Sequence, residues 1–325
     1  RIHKYLANNL ITPLVNDILN TVIKGSTCIL TRTNDEALQI TGMLIKSKVH
    51  AKLIQSNDGF SLYNLLEVRF FLHQLKLKEG VHLISDDIWT EARRLLALKY
   101  QRSSNLPLVL NLLDDFENTN SKYKYKSDLE VFIRESKLED FIGEQKDTIF
   151  VSTIHKAKGR EFENIILMLN GFSPSTDEEI RQLYVGMTRA KDNLIIHTNS
   201  NYFDEIDLEG LSRKYDRRTY DNPSNLVIQL THKDIYLDYF YSRQREILNI
   251  VSGDILHPTE DGCLNSEGQE VLKYSKSMIN QIDELSKKGY FMVESKVRFV
   301  IFWKKEDSER EIKILLPELS FEKIN

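Results

Sequence analysis

The residues best suited to chemistry in this 325-residue chain lie in two short strings, Val151-Ser-Thr-Ile-His-Lys-Ala-Lys-Gly-Arg-Glu-Phe162 and Arg181-Gln-Leu-Tyr-Val-Gly-Met-Thr-Arg-Ala-Lys191. In the second, Arg189 precedes a helix-forming alanine, a setting that would project it from a helix start toward a neighbouring domain. A guanidinium offered in that way neutralises charge that develops on a transferring γ-phosphoryl group. In the first string, Gly159 permits close approach of backbone to a ligand, and Glu161 offers an acceptor to a hydroxyl. Thr153, His155 and Lys156 are short donors of the kind that hold a phosphate backbone. Lys158 reads either as a solvated side chain or as a further phosphate neighbour.

The two strings stand about twenty residues apart, each followed by a strand-like run, Asn164-Ile-Ile-Leu-Met-Leu169 and Asn193-Leu-Ile-Ile-His197. They resemble motifs V and VI of superfamily 1 DNA helicases of the UvrD/Rep/PcrA type. The resemblance implies an α/β fold, a RecA-like second motor domain of the P-loop NTPase class, whose parallel strands end in loops at a ligand crevice. Both motifs would sit on such loops. It also implies Arg189 as the arginine finger and, with Gly159 and Glu161, part of the ATP site, Glu161 facing the ribose. Thr153, His155 and Lys156 would face single-stranded DNA. The family usually has leucine where this chain has Arg160, so an apolar packing position has become charged. Ala-Lys-Gly at 157–159, rather than Ser-Gln-Gly, points to the branch that translocates 3′ to 5′.

Around these strings the chain must supply elements that hold them. Thr27-Cys-Ile-Leu-Thr31 reads as a buried strand, followed by a polar loop and a helix from Glu36 to about Lys46. Arg32 and Asn34 match the places after motif IV from which an arginine and an asparagine touch DNA in the family. Asn34-Asp35 reads equally as an ordinary helix cap. Residues 2–23 read as helical, and Arg1 stands where a remnant of the motif IV arginine would be. Phe60 to Leu75 reads as an apolar core helix. A reduced helical insertion occupies about 60–145, with Ile88–Leu98 and Asp128–Arg134 as its clearest elements.

No Gly-x-x-x-x-Gly-Lys-Ser/Thr string and no Asp-Glu-x-Gln string occurs in the chain. The resemblance therefore places the phosphate loop and the magnesium ligands for ATP on an N-terminal RecA-like domain outside this sequence, and the chain alone is expected to be inactive. The other reading is a motor-dead, helicase-like scaffold for DNA or protein binding.

Composition sets outer bounds. The length favours two units, divided as 1–200 for the second helicase domain and 201–325 for an accessory module. The accessory module reads as α+β and β-rich, with a helix from about Gln269 to Lys288 and a hairpin pairing 297–303 with 311–316 across a polar turn at 306–310. Residues 1–200 hold 26 Lys+Arg against 25 Asp+Glu, and residues 201–325 hold 18 against 23. A broadly basic face is thus excluded, so DNA would be held by a local groove, and the acidity of the module favours a protein partner. No membrane span or signal peptide is visible, and the expected location is the cytoplasm. Cys28 and Cys263 make no metal-binding pattern, so no metal site is expected in this chain.

Overall fold

Thr27–Thr31 (β2) is buried at every position, and Phe162–Leu169 (β5) is buried at all but one. Strands with no solvent face require cover on both sides, which is the property of a central parallel strand. In the computed structural model these strands lie side by side in a seven-stranded sheet. The structure describes residues 1–54, 60–77, 80–136, 148–157, 159–221, 223–306 and 308–324. It divides into two units, residues 1–56 with 144–228 and residues 57–143 with 229–324.

The first unit is built from Ile2–Tyr5 (β1), Ile11–Leu19 (α1), β2, Asn34–Lys46 (α2), Ala51–Leu53 (β3), Ile149–Thr153 (β4), β5, Asp177–Met187 (α3), Ala190–Thr198 (β6) and Arg213–Asp216 (β7). Strand order is β3-β4-β2-β5-β6-β1-β7, and every pairing is parallel. Successive residues of β5 feed opposite cores. Ile166 and Met168 join Ile29, Val151 and the apolar faces of α1 and α2. Ile165, Leu167 and Leu169 join Leu30, Ile154 and Leu183 of α3. The period-2 geometry of a strand makes one apolar run serve both layers. This is the α/β, RecA-like architecture expected of the two motifs.

Residues 2–23 are not one helix. Ile2–Tyr5 pairs with β6 and β7 instead, and α1 begins only at Ile11. Pro13 lacks an amide proton and its ring collides with the carbonyl four residues back, so a helix cannot run upstream through Asn9. Arg1 accordingly leads into a strand. At α2 the cap is Thr33 rather than Asn34. Its hydroxyl accepts from Glu36 N–H at 3.2 Å while Glu36 Oε2 accepts from Thr33 N–H at 3.1 Å.

In the second unit the insertion and C-terminal residues pack as one body, a grouping that differs from a boundary at residue 200. Helices 86–99 and 126–135 contain the expected 88–98 and 128–134, and a further helix spans 106–119. Phe60 to Leu75 is a 3-10 turn at 62–64 and a helix at 66–74, split by the extended backbone of Leu65. Asn105 Nδ2 donates to Ser252 Oγ at 2.9 Å and to the Arg298 carbonyl at 3.1 Å, tying insertion to C-terminal sheet. The hairpin is longer than its sequence core, Tyr290–Lys304 against Glu311–Lys323, with two bulges. Its expected turn includes residue 307, which lies outside the described residues. The helix near 269–288 begins at Lys276, because Glu270–Lys273 pairs with Gly262–Leu264 and the Ser275 side chain caps the first turn beyond that strand. Gly289, at φ +85°, ends it.

Candidate functional site

The sheet register sorts the expected site residues into two groups. Thr31 pairs with Thr153, so the loops carrying Arg32 and Asn34 and those carrying His155 and Lys156 leave the same, C-terminal, edge of the sheet. The Ile154 amide donates to the Thr31 carbonyl at 3.0 Å and locks the two loops together. Phe162 pairs with Ala190 at the start of β5 and β6. Glu161 and Arg189 therefore sit at the N-terminal edge, roughly 23 Å away by the rise of the seven steps along β5. The expectation that both motifs occupy loops following strand ends is corrected here. The first runs from the end of β4 through such a loop to the first residue of β5, and the second runs from within α3 to the first two residues of β6.

At the C-terminal edge, Thr153 is buried, and its carbonyl accepts from the amides of Lys156 and Ala157 at 3.1 Å each. That makes a single helical turn with His155 exposed at its crest and Lys156 half-buried beside it. Asn34 is exposed in the first turn of α2, where unpaired amides favour anions. Arg32 is half-buried, with its guanidinium 4.9 Å from the ring centre of Phe172, a buried residue that follows β5. Phe172 orients Arg32, and no sequence spacing links positions 32 and 172. Lys158 lies outside the described residues.

At the other edge, Gly159 has φ +86°, a backbone state that side chains rarely adopt, and it turns the chain from the helical turn toward β5. Glu161 is exposed, and Arg160 is half-buried. Arg189 follows the C-terminus of α3 instead of starting a helix. Its Nε donates to the Val185 carbonyl at 3.0 Å, Nη2 to Thr188 Oγ1 at 3.4 Å and Nη1 to the Arg160 carbonyl at 3.5 Å. The Phe162 amide donates to the Arg189 carbonyl at 2.9 Å. The two motifs thus meet at Arg160–Phe162 and Arg189. Gly186 makes this approach feasible, since a methyl on it would lie 3.3 Å from Leu167 Cδ1 and 3.5 Å from Ile154. A guanidinium and a carboxylate at the mouth of one edge, and donors on two linked loops at the other, can serve a phosphorylated ligand and a polyanionic strand separately.

A third cluster was invisible to sequence reasoning because positions 3, 17 and 197 share no motif. His3 Nδ1 lies 3.0 Å and His197 Nε2 3.7 Å from Asp17 Oδ2, and Lys214 Nζ 2.7 Å from Asp17 Oδ1. Tyr5 Oη is 2.9 Å from His197 Nδ1. Burial, then the neighbouring His3, push His197 down to about 3, although Asp17 pulls the other way. For Asp17, burial favours the neutral form, but hydrogen bonds from His3 and Lys214 outweigh it and hold the carboxyl well below the usual range. The donor atoms of His3, Asp17 and His197 lie within 4.8 Å of one another. The cluster ties β1, α1, β6 and β7 together behind the sheet.

Residues 78–201 match the family described as UvrD-like helicase C-terminal domain. The chain is similar to ATP-dependent DNA helicase Rep of Buchnera aphidicola subsp. Schizaphis graminum, at 23% identity over 246 residues, covering 62% of this chain and 36% of that protein. It is also similar to Gabija protein GajB of Bacillus cereus (strain VD045), at 28% identity over 154 residues, 46% of this chain and 29% of that protein. The chain spans about a third of the length of these relatives. Among the described residues no helix is long and apolar enough to cross a membrane.

Proposed function

From a chain that carries the C-terminal part of a UvrD/Rep-type helicase, we propose that it forms the second motor domain of an ATP-dependent DNA helicase translocating 3′ to 5′ on single-stranded DNA. The observation that carries this reading is the pairing of Arg189 with the Arg160–Phe162 segment at one edge of the sheet, while Arg32, Asn34, Thr153, His155 and Lys156 share the other.

ATP with magnesium would be held mainly by a partner RecA-like domain that supplies the phosphate loop. Gly159 and Glu161 would close over the ribose, and Arg189 would reach the γ-phosphate when the cleft shuts. To do so its guanidinium must leave the Val185 and Thr188 acceptors, so the finger engages only against a stronger anion. Strand and nucleotide groups are joined by one segment, 154–161, so movement of either end is transmitted through Gly159. That gives closure of the cleft a direct mechanical route to the DNA loops. Soluble, cytoplasmic action and a protein partner for residues 201–325 belong to the same proposal.

The test is ATP hydrolysis with single-stranded DNA. The full-length protein is expected to hydrolyse ATP in a DNA-stimulated way. The 325-residue chain, which has no phosphate-loop string, is expected to show background turnover only. Hydrolysis by the chain alone would overturn the assignment of the ATP site to two domains.

A further inference from the structure

The unit formed by residues 57–143 and 229–324 contains a cavity of about 920 Å³. Arg69, Lys99, Arg102, Lys126, Lys313 and His73 line it, against one carboxylate, Glu130. Bulk composition does not explain this, since residues 57–143 and 229–324 together hold 26 Lys+Arg against 31 Asp+Glu. The positive charge has been gathered into a cavity of an otherwise acidic region.

Part of the charge is already answered. Arg69 is bidentate to Glu311, at 3.1 and 2.6 Å, and is flanked by the rings of Tyr63 and Phe302 at 5.1 Å each. Arg102, largely exposed, is only loosely paired, 3.8 Å from Asp254, and so remains available to a ligand. Lys313 and Lys99 are different. Lys313 Nζ donates to the Leu248 carbonyl at 3.3 Å, and Lys99 Nζ lies 5.3 Å from the ring centre of Phe70. Neither has a carboxylate partner among the described residues. Burial, and then the charge of Lys99, lower the pKa of Lys313. Lys313 is half-buried and Lys99 exposed, and two cations that disfavour each other are relieved by a bound anion.

Beside them the wall is apolar, formed by Leu66, Leu72, Phe70 and Val251. A ligand that satisfies both parts must combine anionic oxygens with a flat, weakly polar body. The volume lies at the upper end for small-molecule sites and has no room for a duplex. We propose that this cavity binds a nucleotide, free or as a short segment of a single nucleic-acid strand, with phosphate oxygens at Lys99, Lys313 and Arg102 and the base against Phe70 and Leu72. This site lies in a different unit from the two edges described above and does not depend on the helicase reading. An acidic peptide meets the charge but not the flat apolar wall.

Fluorescence anisotropy with fluorescein-labelled oligothymidylate tests the assignment, using the 325-residue chain carrying Arg32→Ala and His155→Ala to silence the loops of the sheet edge. The Lys99→Met/Lys313→Met double variant is expected to weaken binding by about tenfold or more. Arg102→Ala, which gives up only the long, exposed pair with Asp254, is expected to weaken it in the same direction with little effect on folding. Unlabelled ATP and thymidine 5′-monophosphate serve as competitors. Displacement by them assigns the site to free nucleotides, and resistance to them, with competition by unlabelled oligothymidylate, assigns it to a strand. The proposal is overturned by absence of binding, by equal affinity in both cavity variants, by thymidine competing as well as its monophosphate, or by polyglutamate binding in place of the nucleotide.

Discussion

Arg189 Nε donates to the carbonyl of Val185 at 3.0 Å, so the guanidinium closes the last turn of the helix that precedes it. A cation there is favourable, because helix C-termini carry unpaired carbonyls and partial negative charge. The same side chain is thus parked on its own helix and available for a stronger acceptor.

If that acceptor is the γ-phosphate, Arg189→Ala in the full-length enzyme lowers turnover by about a thousand-fold while KM moves far less. Arg189→Lys rescues poorly, since an ammonium keeps the charge and loses the planar fork. Steady-state ATP hydrolysis at saturating single-stranded DNA measures both. Melting of the alanine variant within about 1 kcal/mol of wild type separates chemistry from the loss of the Val185 bond. Wild-type-like turnover would return Arg189 to a helix-capping role.

Arg32, Asn34 and His155 emerge on two loops locked by the Ile154–Thr31 hydrogen bond. Replacing any one by alanine is expected to weaken single-strand binding and to lower the slope of log affinity against log salt by up to about one unit for each phosphate contact removed. Phe172→Leu removes the ring beneath Arg32 and should reproduce part of the Arg32→Ala effect without removing a charge. Salt titrations of the four variants decide this, and unchanged slopes in all of them would mark these loops as structural.

The His3–Asp17–His197 cluster makes stability depend on pH. His197 titrates near its ordinary value, 6.5, in the unfolded chain and at about 3 when folded. Its stabilising contribution is complete above pH 6.5 and falls as pH drops toward 3, by at most about 1.4 kcal/mol per pH unit. Asp17, held low when folded, acts in the same direction below its ordinary value of 3.8. Denaturant midpoints are therefore expected to fall on acidification from pH 7 to 4, and His197→Asn should flatten that decline while lowering stability overall. An equally steep decline in the variant would place the sensitivity elsewhere.

Asp17→Asn leaves His3 and Lys214 without their shared anion and is expected to cost about 3 kcal/mol. Thermal melting of the variant measures it, and a loss below about 1 kcal/mol would show that the network contributes packing alone.

Gly25, at φ +90°, adjoins Ser26, whose amide is held by Glu163 Oε2 at 2.6 Å, and a methyl on Gly25 would collide with that carboxylate. Gly25→Ala is expected to destabilise the chain by about 1–2 kcal/mol. If the collision contributes, the additional Glu163→Ala change costs less in that background than in wild type, which a double-mutant cycle reads directly.

What the sequence by itself determined was local. Apolar runs such as Ile165 to Leu169 specify buried strands, the stretch from Glu36 to Lys46 specifies a helix whose cap fell one residue earlier than Asn34, and the two motif strings are legible because their residues are contiguous. Even there, proximity misled at residues 2–23 and 269–275, where apolar spacing compatible with a helix served strand pairing, because pairing partners come from distant chain and outweigh weak local propensity. Tertiary structure alone decided which edge each loop reaches, since the register of β2, β4, β5 and β6 sets that level. It also brought together Arg32 with Phe172, His3 with Asp17 and His197, and Lys99 with Lys313. Such meetings are set by how layers pack, and the one-dimensional order of residues holds no record of them.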